Sequence, residues 1–153
     1  MSISDSVKAA MKEAELNVEP MSNLILQMDY SRIAPEVETA EDIDEESMSD
    51  VLAFTRREVK KESIILLVYL NPQCNLDEGL LFTGRGLFYW EEEGKRRENI
   101  PYEQIEQADF TDDSVILSYQ GVSLTIYLGE DAEEEKFPRY MYNFIMELLE
   151  NMQ

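Results

Sequence analysis

Gly84 and Gly86 stand one residue apart in the stretch "LLFTGRGLFYW", residues 80–90. Two glycines so spaced can open a loop whose backbone N–H groups cradle a phosphate. The dinucleotide fingerprint Gly-x-Gly-x-x-Gly needs a third glycine where a helix begins. Here that position is Tyr89, and the residues after Gly86, "LFYW", are aromatic and strand-forming. No Gly-Lys-Ser/Thr of a nucleotide-binding P-loop occurs in the chain. The pair therefore reads as a hairpin turn between two strands, with Gly84 expected at positive φ, Arg85 exposed at the tip, and Gly86 able to accept alanine better than Gly84.

Other reactive side chains are few. The chain has no histidine, which removes the Ser-His-Asp triad, the histidine general base and the imidazole metal ligand. Its one cysteine, Cys74 in "NPQCNLDEG", can form neither an internal disulfide nor a cysteine cage. Asp77 and Glu78 nearby oppose thiolate formation. Asp42, Asp44 and Glu46 have the alternate spacing of a calcium loop, but the central glycine is missing. No catalytic residue, metal site or cofactor is expected from these patterns, and the chain reads as a non-enzyme.

Charge is the most distinctive property of the chain. It has 153 residues, with 33 acidic against 13 basic and a formal net charge of -20. Such a molecule lacks the Lys and Arg needed to displace counterions from nucleic acid or from an anionic membrane, so neither is expected as a direct partner. A protein with a basic surface is favoured instead, and a second copy of this chain is a further candidate. Residues 36–50, "EVETAEDIDEESMSD", contain eight acids and no base. Glu36, Glu38, Glu41, Asp42, Asp44, Glu45 and Glu46 are thus candidate partner-contact residues, with solubility alone as the competing use. Two basic clusters remain: Arg56, Arg57, Lys60 and Lys61, then Lys95, Arg96 and Arg97. The second is bracketed by Glu91, Glu92, Glu93 and Glu98, which favours local ion pairing over binding of lipid phosphates.

The elements that must position these residues follow from periodicity. Apolar residues at spacings of three and four predict helices over 4–16 and 22–34, the second closed by Pro35. The first part of the acidic run reads as a solvated linker. A third helix is expected from about residue 45, with Met48, Val51, Leu52 and Val59 near one stripe and the first basic cluster in its last turns. After Lys61 the period becomes two. Strands are expected at 63–71, 79–83, 86–92, 96–100, 105–110, 114–119 and 122–128, with loops short enough to require antiparallel pairing. Residues 137–152 close the chain with an amphipathic helix carrying Phe137, Met141, Phe144, Ile145, Leu148 and Met152, and Pro138 sits where a first-turn proline is tolerated.

In the stretch 79–110, Thr83 ends a strand, Arg85 sits in a tight turn, and Leu87 to Trp90 form an apolar-aromatic strand. A polar hairpin follows, and Ile100, Pro101, Tyr102 and Ile105 lead into the next strand. This order resembles the bacterial pleckstrin-homology-like (PH-like) domains over roughly residues 62–153. The resemblance implies an α+β fold: a helical N-terminal region (1–61, with the acidic linker), then a curved antiparallel sheet or barrel capped by a C-terminal helix. It also implies a non-enzymatic binding or assembly module, in which an exposed Trp90 or Tyr102 would mark a protein contact and enclosed rings would fill the sheet's core. The alternative is an acidic inhibitor, an immunity protein or nucleic-acid mimic that blocks a basic site. The longest apolar run, residues 64–70, is far shorter than a membrane span, and residues 1–20 lack a secretory core, so a cytoplasmic protein is expected.

Overall fold

A computed structural model of the chain describes residues 5–14, 16, 19, 23, 37–38, 43–55, 59–70, 76–92, 95–128 and 136–151. Helix α1 (Asp5–Glu13), strand β1 (Val37–Glu38) and helix α2 (Glu45–Phe54) precede a 3-10 turn at Lys61–Ser63. Strands β2 (Ile64–Tyr69), β3 (Gly79–Thr83), β4 (Gly86–Glu91) and β5 (Arg96–Pro101) follow. A second 3-10 turn, Tyr102–Gln104, leads into β6 (Ile105–Phe110), β7 (Ser114–Tyr119) and β8 (Val122–Tyr127), and helix α3 (Lys136–Asn151) closes the described chain.

The architecture is α+β, with two antiparallel sheets. One has the order β1-β2-β3-β4-β5 and the other β6-β7-β8; among the described residues they do not close into a barrel. Short turns dictate the sequential pairing. The main core lies between the two sheets and α3. From the first sheet come Leu66, Val68, Leu80, Phe82, Leu87 and Ile100; from the second, Val115, Leu117 and Ile126. Helix α3 presents Met141, Phe144, Ile145 and Leu148, all fully buried at the spacing of one helical face. Phe144 meets Phe82 edge to face, with ring centroids 4.8 Å apart. Helix α1 enters this same core through Ala10 and Met11, and Leu16 beyond its end joins them.

The opposite face of the first sheet is also covered. Leu67, Tyr69, Leu81 and Trp90 pack there with Met48 and Val51 of α2, and with Ile43, Val59 and Leu76. Every residue of β2 and β3 is therefore buried, which is why "IILLVY" and "GLLF" are unbroken apolar runs. β8, "VSLTIY", is mostly exposed and alternates instead.

Three sequence expectations are corrected. Residues Val37 and Glu38, expected in a solvated linker, form β1 and pair with Val68 and Leu67. The β-branched valine and the open edge of β2 favour that pairing. The third helix ends at Phe54, before the basic cluster. The Thr55 hydroxyl donates to the carbonyls of Val51 and Leu52 (3.0 and 3.2 Å), and Lys61 starts the separate 3-10 turn. Gly84 is not at positive φ; among the described glycines only Gly121 is. Apart from Asn23, the helix expected over 22–34, together with Cys74, Arg56, Arg57 and the side chains of Phe137 and Met152, lies outside the described residues.

Candidate functional site

The Gly84–Gly86 turn has its backbone donors already engaged. The Gly84 N–H donates to the Ser63 carbonyl (3.3 Å). The Arg85 and Gly86 N–H groups donate to the Thr83 hydroxyl (3.4 and 3.3 Å), which itself donates to the Gly86 carbonyl (2.8 Å). A threonine side chain closes the turn, so no left-handed residue is needed. Gly84 is required for another reason: a Cβ there would come within 2.6 Å of the Ala14 methyl just after α1. Gly86 is the less replaceable of the two, contrary to expectation. Its Cβ would lie 2.7 Å from the Ile100 carbonyl oxygen, which is backbone and cannot swing away. Arg85 is exposed, as the turn reading requires.

Tyr102 locks this turn from below. Its hydroxyl donates to the Thr83 carbonyl (2.5 Å) and its N–H to the Arg85 carbonyl (3.2 Å), while the ring is fully enclosed. Burial drives its pKa far above the usual tyrosine range. Trp90 is enclosed as well. Its ring covers Gly79, its cross-strand neighbour, in the space a Cβ would occupy, and its Nε1–H donates to the Leu76 carbonyl (3.0 Å). Of the two outcomes weighed for these candidate contact residues, Trp90 and Tyr102 take the enclosed one: both lie inside the molecule and position other elements.

The acidic candidates divide. Asp44 caps α2, accepting the Ser47 N–H at 2.7 Å, and Glu45 and Glu46 stand exposed in the first turn, where they complement the helix dipole. Burial and, after it, the Glu38 carboxylate on β1 raise the Tyr69 pKa to about 12. Glu36, Glu41 and Asp42 lie outside the described residues. Among the described residues no group of three or more carboxylates or thiols is placed to hold a metal ion. In the second basic cluster Arg96 pairs with the neighbouring Glu91 (3.6 Å), while Arg97 donates to the Phe54 carbonyl at the end of α2 (3.4 Å).

A groove that the sequence reading missed runs between β6 and α3. Its lining is mixed: Tyr102, Ile105, Ala108, Tyr142, Met146 and Leu149 supply the apolar part, and Gln107 is polar. Met146 is 40% exposed, among the few large apolar side chains left open to solvent. Glu103, Glu106 and Glu150 line it too. Tyr142 is held by Phe110, its ring centroid 5.0 Å away at a tilted angle. Among the described residues β6 pairs only with β7, and four consecutive residues of β6, Ile105, Glu106, Gln107 and Ala108, line this groove. The signal was present as a second apolar stripe, Tyr142, Met146 and Leu149, at helical spacing beside the core stripe.

Among the described residues no helix is long and apolar enough to cross a membrane. Comparison with protein-family models, curated proteins and solved structures gave no match.

Proposed function

We propose that this chain is a non-enzymatic protein-interaction module of PH-like type, acting in the cytoplasm, and that its partner docks in the β6–α3 groove. The observation that carries this reading is the conjunction of a strand edge unpaired among the described residues, apolar lining side chains of which Met146 is exposed, and carboxylates lining the same groove. A strand edge offers backbone hydrogen bonds to an extended segment, and the apolar lining takes its alternate side chains. The lining carboxylates of Glu103, Glu106 and Glu150, within a chain of net charge -20, select a segment carrying Lys or Arg. The strand order and the C-terminal helix support the PH-like assignment.

The test is amide chemical-shift mapping of the full chain with an extended Lys- and Leu-rich peptide, and with an Asp- and Leu-rich peptide of the same length. Shifts from the basic peptide confined to β6 and α3, with none from the acidic one, support the reading. Shifts elsewhere, or none from either peptide, overturn it.

A further inference from the structure

The second sheet ends in a strand edge of a different kind. β8 pairs with β7 through six consecutive residue pairs without a register shift, and among the described residues no strand pairs on its far side. Val122 is 54% and Tyr127 52% exposed, and Ser123 and Thr125 are exposed between them. Protein sheets protect such edges with charge, proline, bulges or short strands, because a bare edge templates pairing with another chain. β5 is protected: Arg96, Arg97 and Glu98 are exposed along it and Pro101 ends it. β6 carries Glu106 and Asp109, carboxylates that repel a second copy of the same edge while leaving it open to a basic segment. β8, "VSLTIY", has none of these devices in a chain with 46 charged residues (33 acidic and 13 basic).

The charges also indicate the occupant. A basic partner would need carboxylates along the strand, and β8 offers none. Two copies of β6 laid edge to edge would bring Glu106 and Asp109 of each near one another, whereas two copies of β8 bring no charges together. We propose that β8 pairs antiparallel with β8 of a second copy about a two-fold axis, joining two three-stranded sheets into one of six. Alternation preserves the faces. Val122, Leu124 and Ile126 stand opposite Tyr119, Leu117 and Val115 on the core side, and Ser123, Thr125 and Tyr127 point outward. An axis through Thr125 sets Leu124 against Ile126 of the second copy on the inner side, and Ser123 against its Tyr127 on the outer side. The same patch serves both copies, as a two-fold interface requires.

Sedimentation equilibrium on the full chain, with Thr125→Lys and Thr125→Val variants, tests this. The native chain is expected to dimerise, more tightly as salt rises, because each copy carries -20 and salt screens their repulsion. Thr125→Val is expected to dimerise as well as the native chain. Thr125→Lys is expected to weaken the dimer about tenfold or more, by setting two ammonium groups together at the axis. That variant lowers the net negative charge, so its loss of dimer could not come from whole-molecule repulsion. A native chain that stays monomeric at every concentration and salt, or a Thr125→Lys dimer as tight as the native one, overturns the proposal. A peptide in the β6–α3 groove is expected to leave the dimer unchanged, which separates this interface from the docking groove.

Discussion

Tyr102 shows how one side chain can make a turn specific. Its hydroxyl satisfies the carbonyl of Thr83 inside the protein, and the Thr83 hydroxyl in turn gathers the N–H groups of Arg85 and Gly86. Removing that phenolic oxygen leaves a buried carbonyl without its partner. Tyr102→Phe is therefore expected to cost about 1–3 kcal/mol in thermal or denaturant unfolding, with little change in the folded-state spectrum. The two glycines separate by what their added methyl would meet. Gly86→Ala pushes against backbone and is expected to destabilise more than Gly84→Ala, which pushes against the Ala14 methyl. Pairing Gly84→Ala with Ala14→Gly relieves that contact, so the double variant is expected to lose less stability than the two single losses added together. That the stretch was a turn, and that Arg85 would be exposed, was legible from residue types alone. The reason for Gly84 was not, because a clash with a residue seventy positions earlier has no local signature.

Among the elements, strands were the most legible. β3, β6 and β7 begin and end where alternation and turn residues place them. Helix α2 was drawn too long because Val59 continues its apolar register and the intervening residues are good helix formers. Val59 is indeed buried with α2's residues, but from beyond the helix end that Thr55 closes. β1 was invisible because two residues show no period. Two-sided burial of the first sheet did have a signal, the unbroken run of β2, and it is the basis for a test of the α2 layer. Val51 is fully buried beneath α2, and Trp90, the chain's one tryptophan, lies in the same cluster with its ring centroid 5.7 Å from that of Phe54. Val51→Asp places an unpaired carboxylate there. It is expected to shift Trp90 emission to the red while far-ultraviolet circular dichroism keeps its strand signal. A variant with unshifted emission would mean that α2 does not shield Trp90.

For the whole molecule, surface repulsion and buried tyrosines set the response to solution conditions. Burial, with the Glu38 and Glu98 carboxylates adding to it, raises Tyr69 and Tyr119 to about 12 from a usual value of 10. Between those values the unfolded chain loses tyrosine protons that the folded chain keeps. Stability is thus fully present below about pH 10 and falls as pH rises toward about 12, followed by tyrosinate absorbance against unfolding. Added salt at neutral pH is expected to raise the melting temperature, since screening acts on a net charge of -20. The same screening has the opposite effect on a basic ligand, whose attraction to Glu103, Glu106 and Glu150 weakens. The most direct test of the docking groove is therefore a binding titration of the basic, Leu-containing peptide across a salt series, with native chain and Met146→Glu. The native chain is expected to bind, with affinity falling as salt rises, and Met146→Glu to weaken binding about tenfold or more by placing a carboxylate on the groove's apolar surface, despite its added negative charge. Equal affinity of the two proteins, or native binding indifferent to salt, would contradict the assignment of this groove as the docking site.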